Sequence, residues 1–225
     1  MTESDSTVPG GSPVRGVLTD WGGVLTSPLK DAITVWLTAE GLDTARYREV
    51  MRAWVAQAYD GGAVNPIHGL EDGTLTPREF ERRLAAELCL TDGGPVVAEG
   101  LLGRMFRGFA PVQPMYDALR RARTQGIRTG LISNSWGNDY PRELWTELFD
   151  CVVISSEVGM RKPDGRIFEH ALGLLGLRPD ECVFIDDIEH NIRAAEAMGM
   201  IGLHHTEVTA TVGRLEELLG VPLGS

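Results

Sequence analysis

Four short stretches of this chain end in side chains that can do chemistry. VLTDWGGVLTS closes an apolar run with Asp20, and GLISNS closes another with Ser133 and Asn134. GMRKPD carries Lys162, and VFIDDIEHN ends in Asp186 and Asp187. Asp20 and Asp186 can share a hard divalent cation, for which carboxylate, carbonyl and water oxygens are the natural ligands. Such a metal draws in a phosphate and offsets repulsion between two anions. One oxygen of Asp20 can then attack phosphorus while the other holds the metal. Ser133 and the backbone N–H of Asn134 can hydrogen-bond phosphate oxygens, and Lys162 supplies positive charge to the transition state.

Each stretch also has a plain structural reading. Asp20 and the Asp186-Asp187 pair could cap helices, Ser133-Asn134-Ser135 could be a turn, and Lys162 could be a solvated surface lysine. The functional reading gains its weight from the four occurring together, each at the end of an expected strand. His204-His205 suggests a metal pair, but adjacent strand residues point to opposite faces, so it is read as structural. Trp21 and Trp136 flank two of the stretches and are read as pocket wall or core.

The elements that must position these groups follow from apolar periodicity. Strands are expected at Val14–Thr19, Ile127–Ser133, Cys151–Ser155, Cys182–Ile185 and Met200–His204. Helical patterns lie between them, at Met115–Gln125, Ile167–Leu175 and Asn191–Met198, with a final short helix around Leu215–Leu219. Asp164 is the expected cap and Gly176 the stop of the Ile167–Leu175 helix. This alternation predicts an α/β fold, a Rossmann-like parallel sheet sandwiched by helices. Ligands in such sheets bind at the carboxyl ends of the strands, where the four stretches end.

One region breaks the alternation. From 29 to 109 the patterns are helical: Ala32–Glu40, Tyr47–Ala58, Pro77–Cys89 and Val96–Phe106, with Thr76 before Pro77 as a helix start. The expected organisation is therefore a core of residues 1–28 and 110–225, with a helical cap domain, 29–109, inserted after the first strand. Residues 1–13 are expected to be a disordered polar tail.

Composition narrows the function classes. A net charge of −11 over 225 residues argues against sequence-independent nucleic-acid binding. No run approaches a membrane span, and the N-terminus lacks the basic start and apolar run of a signal peptide, so a cytoplasmic protein is expected; as to assembly, the expectation is a monomer or homodimer. The three cysteines, Cys89, Cys151 and Cys182, are isolated and set among apolar residues, and are read as buried free thiols.

The four motifs, in this order, resemble those of the haloacid dehalogenase superfamily: its nucleophile loop, Ser/Thr strand end, lysine and acidic pair. The resemblance covers roughly 14–28 and 110–205. The segment NPIHGLEDGTLTPREFERRL is similar to a cap segment of members related to the N-terminal domain of soluble epoxide hydrolases. The resemblance implies a magnesium-dependent phosphatase acting on a small phosphorylated metabolite through an aspartyl-phosphate. It implies a metal held by Asp20, Asp186 and the carbonyl of Gly22, with Asp187 holding a metal-bound water or Lys162, and Asn191 orienting the loop. Gly23 is counted with Ser133, Asn134 and Lys162 among the substrate-binding residues.

One position departs from the family pattern. Most phosphatases of the superfamily carry a second aspartate, a general acid, where this chain has Gly22. Two rival readings follow. A carbon–halogen hydrolase usually lacks the acidic pair, and a carbon–phosphorus hydrolase needs a cap lysine, whereas residues 29–109 hold only Lys30, at their edge. The other rival is a binding or regulatory protein that kept the fold and lost turnover.

Overall fold

A computed structural model describes residues 13–57, 65–137 and 140–224. The expected tail lies outside these residues except for Pro13, as does the last residue of the Tyr47–Ala58 pattern. Five strands form one parallel sheet: β1 (Gly16–Thr19), β2 (Arg128–Ser133), β3 (Cys151–Ile154), β4 (Cys182–Asp186) and β5 (Ile201–His204). Their order is β3-β2-β1-β4-β5. The order reverses at β1, because the chain leaves it towards β2 on one side and returns to β4 on the other. That reversal opens a crevice at the carboxyl ends of β1, β2 and β4.

Helices cover both faces, so β1 is apolar on each side. Val17 packs with α6 (Gln113–Thr124) and α11 (Val208–Leu219) in one core cluster. Its neighbour Leu18 faces the other way, into a cluster with α9 (Gly165–Leu175) and α10 (Glu189–Ala197). Two short helices complete the core, α7 (Arg142–Trp145) and α8 (Ser155–Val158). Local signals set the ends of α9: Asp164 accepts the N–H of Arg166, and Gly176 takes the left-handed conformation that stops the helix.

The remaining helices build a separate lobe: α1 (Leu29–Ala39), α2 (Thr44–Gln57), α3 (Pro66–Glu71), α4 (Pro77–Glu87) and α5 (Leu101–Phe106). They share their own apolar cluster, centred on Trp36, Phe80, Leu84, Leu101 and Met105. Thr76 begins α4 with a reciprocal capping box to Glu79, as the sequence predicted. The helix expected over Val96–Phe106 starts only at Leu101. Gly100 before it is left-handed, and Glu81 of α4 reaches across to accept the N–H groups of Gly100 and Leu102. Side-chain capping from a neighbouring helix carries no local pattern, which is why the start was misplaced. The short helix α3 was not anticipated at all; Asn65 caps it by accepting the N–H groups of Ile67 and His68.

The two crossings between lobe and core lie side by side. Thr26 and Pro111 form an antiparallel bridge, the Ser27 N–H donates to Ala110 at 2.7 Å, and the Val112 N–H donates to Leu25 at 2.9 Å. No helix among the described residues is long and apolar enough to cross a membrane.

Candidate active site

Each predicted stretch arrives at the crevice from a different strand end. Asp20 follows β1, and its N–H is held by the Ile185 carbonyl of β4 at 2.8 Å. Asp186 is the last residue of β4 and is fully buried. Lys162, 1 % exposed, lies on the loop between α8 and α9. Its ammonium stands 2.8 Å from Asp20 Oδ1 and 2.6 Å from Asp186 Oδ2. The solvated-surface reading of this lysine is therefore wrong: a buried ammonium needs paired charge, and the two carboxylates supply it.

Asp187 completes the acidic group, and one oxygen from each of Asp20, Asp186 and Asp187 lies within 4.8 Å of the others. Three carboxylates face one ammonium. Burial raises Asp20 to about 7, against the opposing pull of Lys162 and with the help of Asp186 and Asp187. Burial and the charge of Asp186 raise Asp187 to about 6. Burial works against the charge of Lys162, but facing Asp186 and Asp20 lifts it above the ordinary lysine value. With all three carboxylates ionised, the cluster carries two negative charges that Lys162 does not compensate. All-oxygen donors at this spacing fit a hard divalent cation.

Supporting residues fix these groups. Asn191 donates from Nδ2 to both oxygens of Asp186, at 3.1 Å each, and the Ile188 N–H donates to Asp186 Oδ1 at 2.8 Å. Asp187 makes none of the ion pairs of Lys162, which are with Asp20 and Asp186. Asp187 lies instead against the loop after β1. A Cβ on Gly23 would sit 2.3 Å from Asp187 Oδ2, and Gly23 has φ +77°, so only glycine fits there. Gly23, expected among the substrate-binding residues, has its N–H donated to Thr26 Oγ1 at 3.0 Å, inside the loop. Gly22, in contrast, lines the crevice, and a Cβ there would meet nothing within 4 Å.

Ser133 and Asn134 end β2 as expected. Ser133 Oγ is 2.9 Å from the Tyr140 hydroxyl. Tyr140 is buried, packs on Trp21 with ring centroids 4.9 Å apart, and has its hydroxyl pushed up to about 12 by that burial. Trp21 both belongs to the core and lines the crevice. The two histidines separate as argued: His204 is exposed and His205 is buried against Thr211.

The helical lobe contributes a residue that the sequence reading missed. Glu71, the last residue of α3, lines the crevice and is 7 % exposed. Its Oε1 accepts from Trp136 Nε1 at 3.1 Å and its Oε2 from Arg161 Nε at 2.6 Å. Its carbonyl accepts the Ser155 hydroxyl, which in turn accepts the Ser135 N–H at 2.8 Å. Two residues on, Gly73 has φ +80°, and a Cβ there would stand 2.8 Å from the Ser156 carbonyl. A Glu-Asp-Gly sequence was visible, but a partner 65 or 90 residues away leaves no trace in local pattern.

A parallel sheet of this order, with carboxylates and a lysine at its reversal point, defines the class: an α/β enzyme with its site at the strand ends. The family model of haloacid dehalogenase-like hydrolases matches residues 14–199, and the chain belongs to that family. Among curated relatives, it is 38 % identical over 155 residues to the sesquiterpene phosphatase astK of Aspergillus oryzae, covering 67 % of this chain and 77 % of that protein. It is 30 % identical over 116 residues to bifunctional epoxide hydrolase 2 of Rattus norvegicus, covering 48 % of this chain and 21 % of that protein. The chain thus spans about a fifth of the epoxide hydrolase's length. Among solved structures, a HAD family enzyme of Bacteroides thetaiotaomicron, in complex with magnesium and inorganic phosphate, superposes with a TM-score of 0.57 at 22 % identity. That match covers 86 % of this chain and 94 % of the other. The chain is a haloacid dehalogenase-like hydrolase, with phosphatases among its relatives.

Proposed function

We propose that this chain is a phosphomonoester hydrolase, dependent on magnesium, that acts on a small phosphorylated metabolite through an aspartyl-phosphate on Asp20. The observation that carries the reading is the placement of Lys162, bonded at once to Asp20 and Asp186 in a buried acidic cluster at the strand ends. Phosphatases among the relatives, and a structural neighbour holding magnesium and inorganic phosphate, support it.

Asp20, Asp186 and the Gly22 carbonyl would hold the magnesium, which neutralises the surplus negative charge and polarises the phosphoryl group. Asp20 Oδ2, the oxygen not paired with Lys162, attacks phosphorus; the ester P–O bond breaks as the acyl phosphate forms, and the leaving alkoxide takes its proton from water, since Gly22 offers none. Ser133 Oγ and the Asn134 N–H hold phosphoryl oxygens, and Lys162 stabilises the charge that develops on them. Water then attacks the phosphorus of the acyl phosphate, releasing inorganic phosphate and restoring Asp20. Asn191 and the Ile188 N–H keep Asp186 in place. The helical lobe, 29–109, acts as a cap that limits water and selects the alcohol.

The test is phosphate release from a panel of phosphorylated metabolites, with and without magnesium, by wild type and Asp20→Asn. Magnesium-dependent release by wild type and none by the folded variant is expected. Turnover of Asp20→Asn at the wild-type rate would remove Asp20 from the mechanism.

A further inference from the structure

The alcohol side of the crevice is apolar. Leu29, Phe106, Phe109, Trp136 and Ile188 line it together with the phosphate-handling residues, around a cavity of about 140 Å³. Leu29 and Ile188 are among the few large apolar side chains left exposed, at 37 % and 52 %. Phe106 and Phe109 pack against each other at 5.2 Å, so the wall is preformed. Apolar surface of this kind gains free energy when a hydrocarbon covers it, and a hydroxyl-rich group gains nothing there.

Apart from the acidic cluster, polar side chains lining the crevice are engaged with protein partners. Asn134 uses Oδ1 and Nδ2 on the backbone of Lys162, Asn191 serves Asp186, and Ser133 meets Tyr140. Both carboxylate oxygens of Glu71 are occupied. A sugar or a base would bury hydroxyls or amides without partners, at a cost of about 1–3 kcal/mol for each. Charge points the same way. Lys162 is the one basic side chain lining the crevice among the described residues. Arg161, behind the lining residue Glu71, is neutralised by it in an ion pair whose side chains are only 26 % and 10 % exposed. A second anionic group on a substrate would meet this closed pair instead of a free guanidinium.

We infer that the crevice takes the phosphomonoester of a neutral, apolar alcohol, and that Glu71, by pairing Arg161, determines specificity against substrates with a second anionic group. The inference rests on the phosphatase reading and adds the substrate class to it.

The experiment measures kcat/KM with magnesium for straight-chain alkyl phosphates of increasing length, a hexose phosphate and an alkane-diol bisphosphate. Burying one methylene corresponds to about fourfold in kcat/KM, so a rise of about two- to fourfold per carbon is expected until the crevice is full. The hexose phosphate should fall at least about tenfold below the alkyl phosphate of equal carbon number. Equal or better use of the hexose phosphate, or no length dependence, overturns the substrate class. If no ester is hydrolysed, the phosphatase reading fails separately; binding of alkyl and sugar phosphonates, measured by calorimetry, then still ranks apolar against polar. For Glu71, the readout is the ratio of bisphosphate to monophosphate kcat/KM, which cancels any general loss of activity. Glu71→Gln keeps an acceptor for Trp136 and leaves Arg161 unpaired, so the ratio should rise about tenfold. Arg161→Gln leaves the carboxylate unpaired, so the ratio should fall. Ratios unchanged in both variants would overturn the role of Glu71.

Discussion

Asn134 and Lys162 are joined by two reciprocal hydrogen bonds: Asn134 Nδ2 donates to the Lys162 carbonyl at 3.0 Å, and the Lys162 N–H donates to Asn134 Oδ1 at 2.8 Å. One amide side chain thus ties the loop after β2 to the loop that carries the buried ammonium. Asn134→Ala removes both bonds and leaves two backbone groups of Lys162 without these partners, a loss of about 1–3 kcal/mol. We expect a lower urea midpoint and, because the ammonium loses its alignment, a kcat reduced by about tenfold or more. Asn134→Asp keeps the acceptor and should fall between the two. Wild-type kcat in Asn134→Ala would show that the tether does not position Lys162.

Magnesium binding should depend on Asp186. Asp186→Asn keeps the size of the side chain and its contact with the ammonium while removing one of the three clustered charges. Calorimetry should give a magnesium affinity weakened by about tenfold or more, since hard cations are held by charge and oxygen donors. Identical affinities would remove Asp186 from the metal site.

Gly22 is the place to restore a general acid. Its backbone is not left-handed, and a Cβ there meets no atom within 4 Å, so Gly22→Asp should fold. A positioned acid contributes about 10²–10⁴-fold, and less is expected in a pocket not shaped for it. The gain in kcat should be larger for an alkyl phosphate, whose alkoxide needs a proton, than for an aryl phosphate. A folded variant that gains on neither would mean that protonation comes from elsewhere or that hydrolysis is not this chain's task.

The lobe should close over a bound anion. Its joint to the core is the paired crossing at Thr26 and Pro111, and its contact with the site is Glu71 on Ser155, Trp136 and Arg161. With magnesium and phosphate present, amide hydrogen exchange in Pro66–Glu71 should slow by about tenfold, while α9 stays unchanged. Equal slowing in both elements would indicate general stabilisation, and no slowing would mean that the lobe does not respond to the site.

The thiols should be inert in the native protein. Burial raises Cys151 to about 11 and Cys182 to about 12, so the reactive thiolate is scarce at pH 8 and becomes abundant only as pH rises through those values. Cys89 is half-buried, less enclosed than the sequence suggested. Ellman's reagent at pH 8 should label Cys151 and Cys182 at least about a hundredfold more slowly than in urea, where all three thiols react. Rapid native labelling of Cys182 would contradict the burial.

Local rules carried much of this protein in its sequence. The strand ends at Asp20, Ser133 and Asp186, the caps at Asp164 and Thr76 and the stop at Gly176 follow from runs, caps and glycines acting within a few residues. The order of the four motifs was enough to mark the family and the acidic cluster, because a parallel sheet brings successive strand ends to one edge. Tertiary structure alone decided which groups meet. Glu71 finds Arg161 across 90 residues, Glu81 caps α5 from a neighbouring helix, and Asp187 closes on the backbone of Gly23. Such contacts are set by how the lobe and loops pack, and packing between distant segments leaves no periodic signal in a single chain.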